Sequence, residues 1–114
     1  MAYDEYLEER IRKVLNENRI VFEARKMMGG LTFMVNGKMC VGIVKDDLMA
    51  RIGPDNYSSA LTKNGCKEMK FTGRPMKGFV MIEPEGVDMD EELEYWIQLC
   101  LDYNPIAKAS KKKK

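Results

Sequence analysis

An α+β domain, with helices packed mainly on one face of an antiparallel sheet of about six strands, is predicted by three features of this 114-residue chain. Helical apolar spacing marks both ends. Short apolar runs separated by two-residue turn signals fill the middle, most densely from Met27 to Pro54. The resulting order is helix, four strands, short helix, two strands, long helix. With no internal repeat, residues 1–105 read as one domain, and 106–114 as a disordered basic tail or expression remnant.

From Asp4 to Asn18, the positions Leu7, Ile11, Val14 and Leu15 line one helical face. Glu8 with Arg12 and Glu9 with Lys13 sit four apart and describe a solvated opposite face. Ile20 to Lys26 reads as a strand, broken at Gly29-Gly30 before the strand Leu31 to Val35. Asn36-Gly37 then signals a hairpin, because a type I′ turn needs positive φ at both central residues. A second hairpin is expected at Asp46-Asp47, leading into Leu48 to Ile52.

Gly53-Pro54 opens a short helix with the stripe Tyr57, Ala60 and Leu61, which Asn64-Gly65 ends. Cys66 to Phe71 is strand-like, the run TGRPMKG reads as a loop, and Phe79 to Ile82 is a clearer strand. Pro84-Glu85-Gly86 turns the chain into the last helix, with Asp88 and Glu91 in capping-box spacing. Leu93, Trp96, Ile97, Cys100 and Leu101 form its inward stripe, and Pro105 stops it.

Two-residue loops at both hairpins pair Val35 with Lys38, Phe33 with Cys40, Val44 with Met49, and Gly42 with Arg51. One face then carries Met34, Met39, Val41, Ile43, Leu48, Ala50 and Ile52 and is the expected core. The other carries Leu31, Phe33, Val35, Cys40, Val44 and Met49 beside Lys38, Gly42 and Arg51, which is too apolar for a freely solvated surface. Another element of the chain, a shifted register or a partner must account for it. Leu31, Phe33, Val35, Val44 and Met49 are therefore the candidate interface.

Composition excludes several chemistries. The formal charge of +1 includes Lys108 and Lys111 to Lys114; without them, fourteen basic face eighteen acidic residues, a net charge of −4. Such a body does not favour direct nucleic-acid binding, which needs a concentrated basic face. The chain has no histidine, which removes the commonest general base and a common metal ligand. Cys40, Cys66 and Cys100 lack the spacing of a zinc or redox site, so no metal and no cofactor is expected. Without a leader-like or membrane-spanning run, the expected location is the cytoplasm, with no membrane partner.

The blocks MMGGLTFMVNGKMCVGIVKDDLMARIGP, FTGRPMKGFVMI and EELEYWIQLCL together resemble the TfoX N-terminal domain family, over roughly residues 10 to 104. Gly29, Gly30, Gly37, Gly73, Arg74, Pro75, Lys77 and Gly78 match the family pattern. The resemblance implies a helix-covered antiparallel sheet similar in outline to YgaC-like proteins and type III secretion chaperones. Longer bacterial members regulate natural competence and carry a second, C-terminal domain, so a stand-alone N-terminal domain is expected here. The family offers no catalytic residues to carry over.

Lys70, Arg74 and Lys77 surround glycines that let backbone N–H groups approach an anion, which makes this loop, with Arg51, the candidate anion- or partner-binding site. The same glycines and Pro75 equally describe a connection with unusual dihedrals. Ser58-Ser59 has no placed base. Cys66 follows Gly65 but its neighbour Lys67 points to the opposite side of a strand. The expected function is a noncatalytic interaction module, a transcription- or competence-related regulator acting through protein–protein contacts, with a second copy of the chain among its possible partners. The alternatives are a nucleic-acid-binding accessory factor of transcription, using Arg25, Lys26, Lys70, Arg74 and Lys77, and, ranked last, a small enzyme.

Overall fold

Asp4 starts the first helix by accepting hydrogen bonds from the Tyr6 and Leu7 N–H groups at 2.9 and 3.3 Å. In this computed structural model, which describes residues 4–27, 30–71 and 74–107, α1 spans Glu5–Glu17 and buries Leu7, Ile11, Val14 and Leu15. The chain continues through β1 (Glu23–Met27), β2 (Gly30–Val35), β3 (Lys38–Val44), β4 (Asp47–Arg51), α2 (Pro54–Ala60), β5 (Cys66–Phe71), β6 (Arg74–Ile82) and α3 (Asp90–Tyr103). A single 3-10 turn, Pro84–Gly86, precedes α3.

The strands form one antiparallel sheet in the order β1-β2-β3-β4-β6-β5. Through α2 the chain reaches the outer edge, where β5 forms; β6 then returns between β5 and β4, and α2 packs against it. The α+β architecture with a six-stranded antiparallel sheet is thus the one expected.

The register differs from the expected one in two places. Val35 does pair with Lys38 across Asn36 and Gly37, whose φ values are +56° and +76°. Beyond them, however, Phe33 pairs with Val41 while Met34 pairs with Met39, so Cys40 is an extra residue on β3. The second turn comes one residue early, at Lys45-Asp46, with Lys45 at φ +57° and Val44 opposite Asp47. That shift sets Ile43 against Leu48, both with no exposed surface, so apolar pairing overrides the turn preference of two aspartates. The Lys45 carbonyl accepts from the Asp4 N–H at 2.8 Å, which ties the turn to the start of α1.

Both shifts redistribute the faces. Leu31, Phe33 and Val35, expected on the second face, belong to the helix-covered core with Cys40, Val41, Ile43, Leu48, Ala50, Val80 and Ile82. Met34 and Met39, expected in that core, lie on the opposite face. Because the bulge makes Cys40 and Val41 share a side, it reverses the alternation for every β3 residue before it. The buried side chains of all three helices belong to the same core cluster.

Further boundaries moved: β1 begins at Glu23 rather than Ile20, and α2 ends at Ala60, before Asn64-Gly65. The chain from Arg74 to Gly78, expected as loop, begins β6; Arg74 and Pro75 pair with Phe71 and Lys70 of β5, and Gly78, at φ +96°, falls where the β5–β6 register shifts. Residues 72 and 73 lie outside the described residues. At the last helix the cap is Met89, whose N–H donates to the Glu92 carboxylate at 3.0 Å, one residue beyond the expected Asp88–Glu91 box.

The far end of α3 is fixed to the β2–β3 hairpin by Asn104, which is 3% exposed. Its amide donates to the Val35 carbonyl at 3.0 Å, and its side-chain oxygen accepts from Asn36 at 2.8 Å. Lys38 Nζ donates to the Asn104 backbone carbonyl at 3.0 Å. One hydrogen-bonded node therefore sets the position of α3 over the sheet.

Candidate functional site

Across all six strands the pairing produces one continuous row on the face away from the core: Arg25, Thr32, Gly42, Met49, Met81 and Lys67. Alternation gives that face its character. Met34, Met39, Val44 and Phe79 stand beside the row, so among the described side chains four methionines, with Met49 and Met81, lie on one side of the sheet. Met49 is 1% exposed because it lies across Gly42, where an added Cβ would sit 2.9 Å from its Cε. The same Cβ would meet the Leu31 carbonyl at 2.7 Å, so only glycine fits there. Met39, Val44, Phe79 and Met81 are half-buried and form the accessible part of the face.

Charged groups frame it. At the β5 end, Lys67 bridges Asp47 and Glu83 at 3.2 and 3.1 Å, and these hydrogen-bonded carboxylates raise its pKa. At the β1 end, Arg25 is held by Glu23 at 3.0 Å. Arg51 closes the remaining side. Its guanidinium donates to the Met39 carbonyl at 3.4 Å and lies 5.3 Å from the Phe79 ring centroid and 6.0 Å from that of Tyr103. Arg51 pairs with Phe79 on β6 rather than lying beside Gly42, and the two aromatic faces make a charge on an apolar face tolerable.

The five candidate interface residues therefore separate. Leu31, Phe33 and Val35 are core residues, at 4%, 0% and 5% exposure, whereas Val44 and Met49 share the outer face. Sequence reasoning missed Met81 and Phe79, which only the β4–β6 pairing brings beside Met49 and Arg51. Alternation along the strand Phe79–Ile82 was their one available signal.

The basic candidates do not share one place. Arg25 and Lys26 belong to the edge strand β1, on opposite faces of it. Lys70, Arg74 and Lys77 belong to β5 and β6 at the far side of the sheet. At ordinary strand spacing the two edges are roughly 24 Å apart. Lys77 is exposed, and the side chains of Lys70 and Arg74 lie outside the described residues.

Two of the thiols, half-buried Cys66 and buried Cys100, hold their protons more tightly than a free cysteine. Burial pushes Cys66 from 9.0 up to about 11. Cys100 is raised well above its usual value, by burial first and then by hydrogen bonding with Cys40 across the α3–β3 contact. The Tyr57 hydroxyl is buried with no hydrogen-bond partner among the described residues, and its pKa is raised by desolvation, with the Glu68 charge adding to it. Among the described residues no cluster of three acidic, thiol or imidazole groups could hold a metal ion. No helix among them is long and apolar enough to cross a membrane.

The sequence profile of the TfoX N-terminal domain matches residues 21–103, from the approach to β1 through the last residue of α3. The chain belongs to the TfoX N-terminal domain family. The match takes in every strand, including the bulged β3 and the row from Arg25 to Lys67. TfoX N-terminal domains are linked to competence and regulatory proteins and are not a known enzyme family. No curated protein and no solved structure matches the chain.

Proposed function

We propose that this TfoX N-terminal domain is a noncatalytic interaction module of a regulatory kind, acting through protein–protein contacts on the methionine-lined sheet face. The observation that carries this is the half-buried set Met39, Val44, Phe79 and Met81 around Met49, with Arg51 at the Met39–Phe79 end, on the face that the core cluster does not use. Unbranched, polarizable methionines adapt to a partner's shape and recur at surfaces that bind proteins. An aromatic and an arginine beside them add the side chains that most often anchor such contacts. A competence- or transcription-related role follows from the family link alone and is proposed on that basis.

Affinity capture from the native cytoplasm tests this reading, comparing the intact chain with Met81→Glu. Met81 is half-buried opposite Lys67, so the new carboxylate has a cation within reach and circular dichroism should show an unchanged fold. A species retained by the intact chain and lost with the folded variant supports the reading, and light scattering then shows whether that species is a second copy. Identical retention by the two proteins overturns it.

A further inference from the structure

Helix α3 presents a second surface, which adjoins the sheet face where Tyr103 lies 6.0 Å from the Arg51 guanidinium. Within Asp90–Tyr103 the helix carries Asp90, Glu91, Glu92, Glu94 and Asp102 and no basic residue. Along its side toward α2 runs a separate apolar stripe. Tyr95 is 43% exposed, Leu99 and Tyr103 are half-buried at successive steps of four, and Ile106, one turn further, is 74% exposed. Tyr95 and Ile106, open at the two ends of a stripe whose middle, Leu99 and Tyr103, is half-buried, form a seam rather than scattered surface residues.

Each end of the stripe opens into a cleft. Near the start of α3, a cleft of about 350 Å³ lies between Tyr95, Trp96 and the Lys63-Asn64 turn, with Glu91 and Glu92 on its rim. At the other end, about 360 Å³ separates Tyr103 and Ile106 from Pro54, with Asp55 and Asp102 on the rim. The Tyr103 ring packs onto Gly53, where φ is +89° and a Cβ would come within 2.5 Å of the ring. Tyr95 and Tyr103 are eight residues apart, so the clefts are separated by about 12 Å along the helix.

We infer that this seam docks a basic amphipathic helix of a partner protein. Apolar side chains seven or eight residues apart on such a helix would span the same ~12 Å and enter the two clefts, the usual geometry of a helix laid into a groove. Charge selects the occupant. Four carboxylates line the clefts against two cations, Lys63, whose Nζ lies 4.9 Å from the Tyr95 ring centroid, and Arg51, whose guanidinium lies 6.0 Å from that of Tyr103. Lysine or arginine between the partner's anchors completes this rim, whereas a second copy of the chain would set an acidic α3 against an acidic surface. The cation of the partner competes with Lys63 for the face of Tyr95.

Trp96 is the chain's one tryptophan and lines the first cleft, so its emission reports occupancy directly. The probe is a synthetic Leu/Lys peptide of roughly 18 residues with leucines at i, i+3, i+7 and i+11, compared with a scrambled peptide of the same composition. Saturable emission change is expected for the amphipathic peptide only. The pair Glu91→Lys and Asp102→Lys should weaken it at least tenfold, Lys63→Ala should strengthen it two- to fivefold, and Glu17→Lys on exposed α1 should leave it unchanged. Equal response to the scrambled peptide, equal loss with Glu17→Lys, or a dimer that Glu91→Lys dissociates would each overturn the assignment. The sheet-face variant Met81→Glu should bind the peptide normally, which separates failure here from failure of the proposed function.

Discussion

Replacing Asn104 by alanine removes the node that holds α3 to the β2–β3 hairpin. Two side-chain hydrogen bonds are lost, to the Val35 carbonyl at 3.0 Å and from Asn36 at 2.8 Å, at a residue only 3% exposed. A buried hydrogen bond contributes about 1 kcal/mol net, and an orphaned buried partner raises that cost, so the expected loss is about 2–3 kcal/mol. The Lys38 bond to the Asn104 backbone carbonyl survives the substitution and limits the loss. For a domain of this size, about 4 °C per kcal/mol gives a fall in Tm of about 8–12 °C by scanning calorimetry. Because Asn36 has φ +56°, its partner variant should be Asn36→Gly, and the double-mutant cycle should show about 1 kcal/mol of coupling. A loss below about 0.5 kcal/mol, the range of ordinary surface substitutions, would refute the role given to Asn104.

Other outcomes follow from the buried acids and the orphaned hydroxyl. Cys66, Cys100 and Tyr57 hold their protons more tightly in the folded chain; the stability that Cys66 contributes is fully present below about pH 9 and is lost as pH rises toward 11, and that of Cys100 and Tyr57 is lost only above the usual thiol and phenol values. Urea midpoints should accordingly be equal at pH 7 and 8 and fall by pH 10.5, with a smaller fall in Cys66→Ser; a flat profile contradicts the burial. Alkylation of Cys66 by iodoacetamide should be slow at pH 7.5 and accelerate toward pH 11, whereas full modification within minutes at pH 7.5 would place its pKa near that of a free thiol. Tyr57→Phe removes a buried hydroxyl that has no hydrogen-bond partner among the described residues and should be neutral or stabilising by up to about 1 kcal/mol, and a loss of more than that in thermal unfolding would show a hydrogen bond, to the neighbouring Glu68 first of all.

What the sequence revealed depended on whether the deciding interaction was local. The Asn36-Gly37 hairpin was legible because its turn conformation is a property of those two residues, and both take positive φ. The helix stripes were legible because burial recurs every three or four positions, as at Leu7, Ile11, Val14 and Leu15. The Cys40 bulge was not, because nothing in MCVG distinguishes a paired residue from an extra one; cross-strand packing of Phe33 on Val41 decides it. That one residue moved Phe33, Leu31 and Val35 from the candidate interface into the core.

Glycine and proline signals misled where pairing was stronger, since Pro75 lies within β6 opposite Lys70 of β5, and Gly78 lies within β6 with its carbonyl accepting from the Ile52 and Gly53 N–H groups, rather than in a loop. For the site, Arg51 was singled out by its charge among apolar neighbours, but its Phe79 and Tyr103 partners come from distant segments. The outward stripe of α3 was readable in principle, because Tyr95, Leu99 and Tyr103 recur at four-residue spacing. The stronger inward stripe of Leu93, Trp96, Ile97 and Cys100 concealed it.

The central claim, that the methionine-lined sheet face meets another protein, is tested most directly by photo-crosslinking. A photoreactive residue at Met81, half-buried on that face, is compared in native cell extract with the same residue at Glu17 on exposed α1. A discrete protein adduct is expected from position 81 and none of that size from position 17. The same adducts from both positions, or none from position 81 while the protein remains folded, would contradict it.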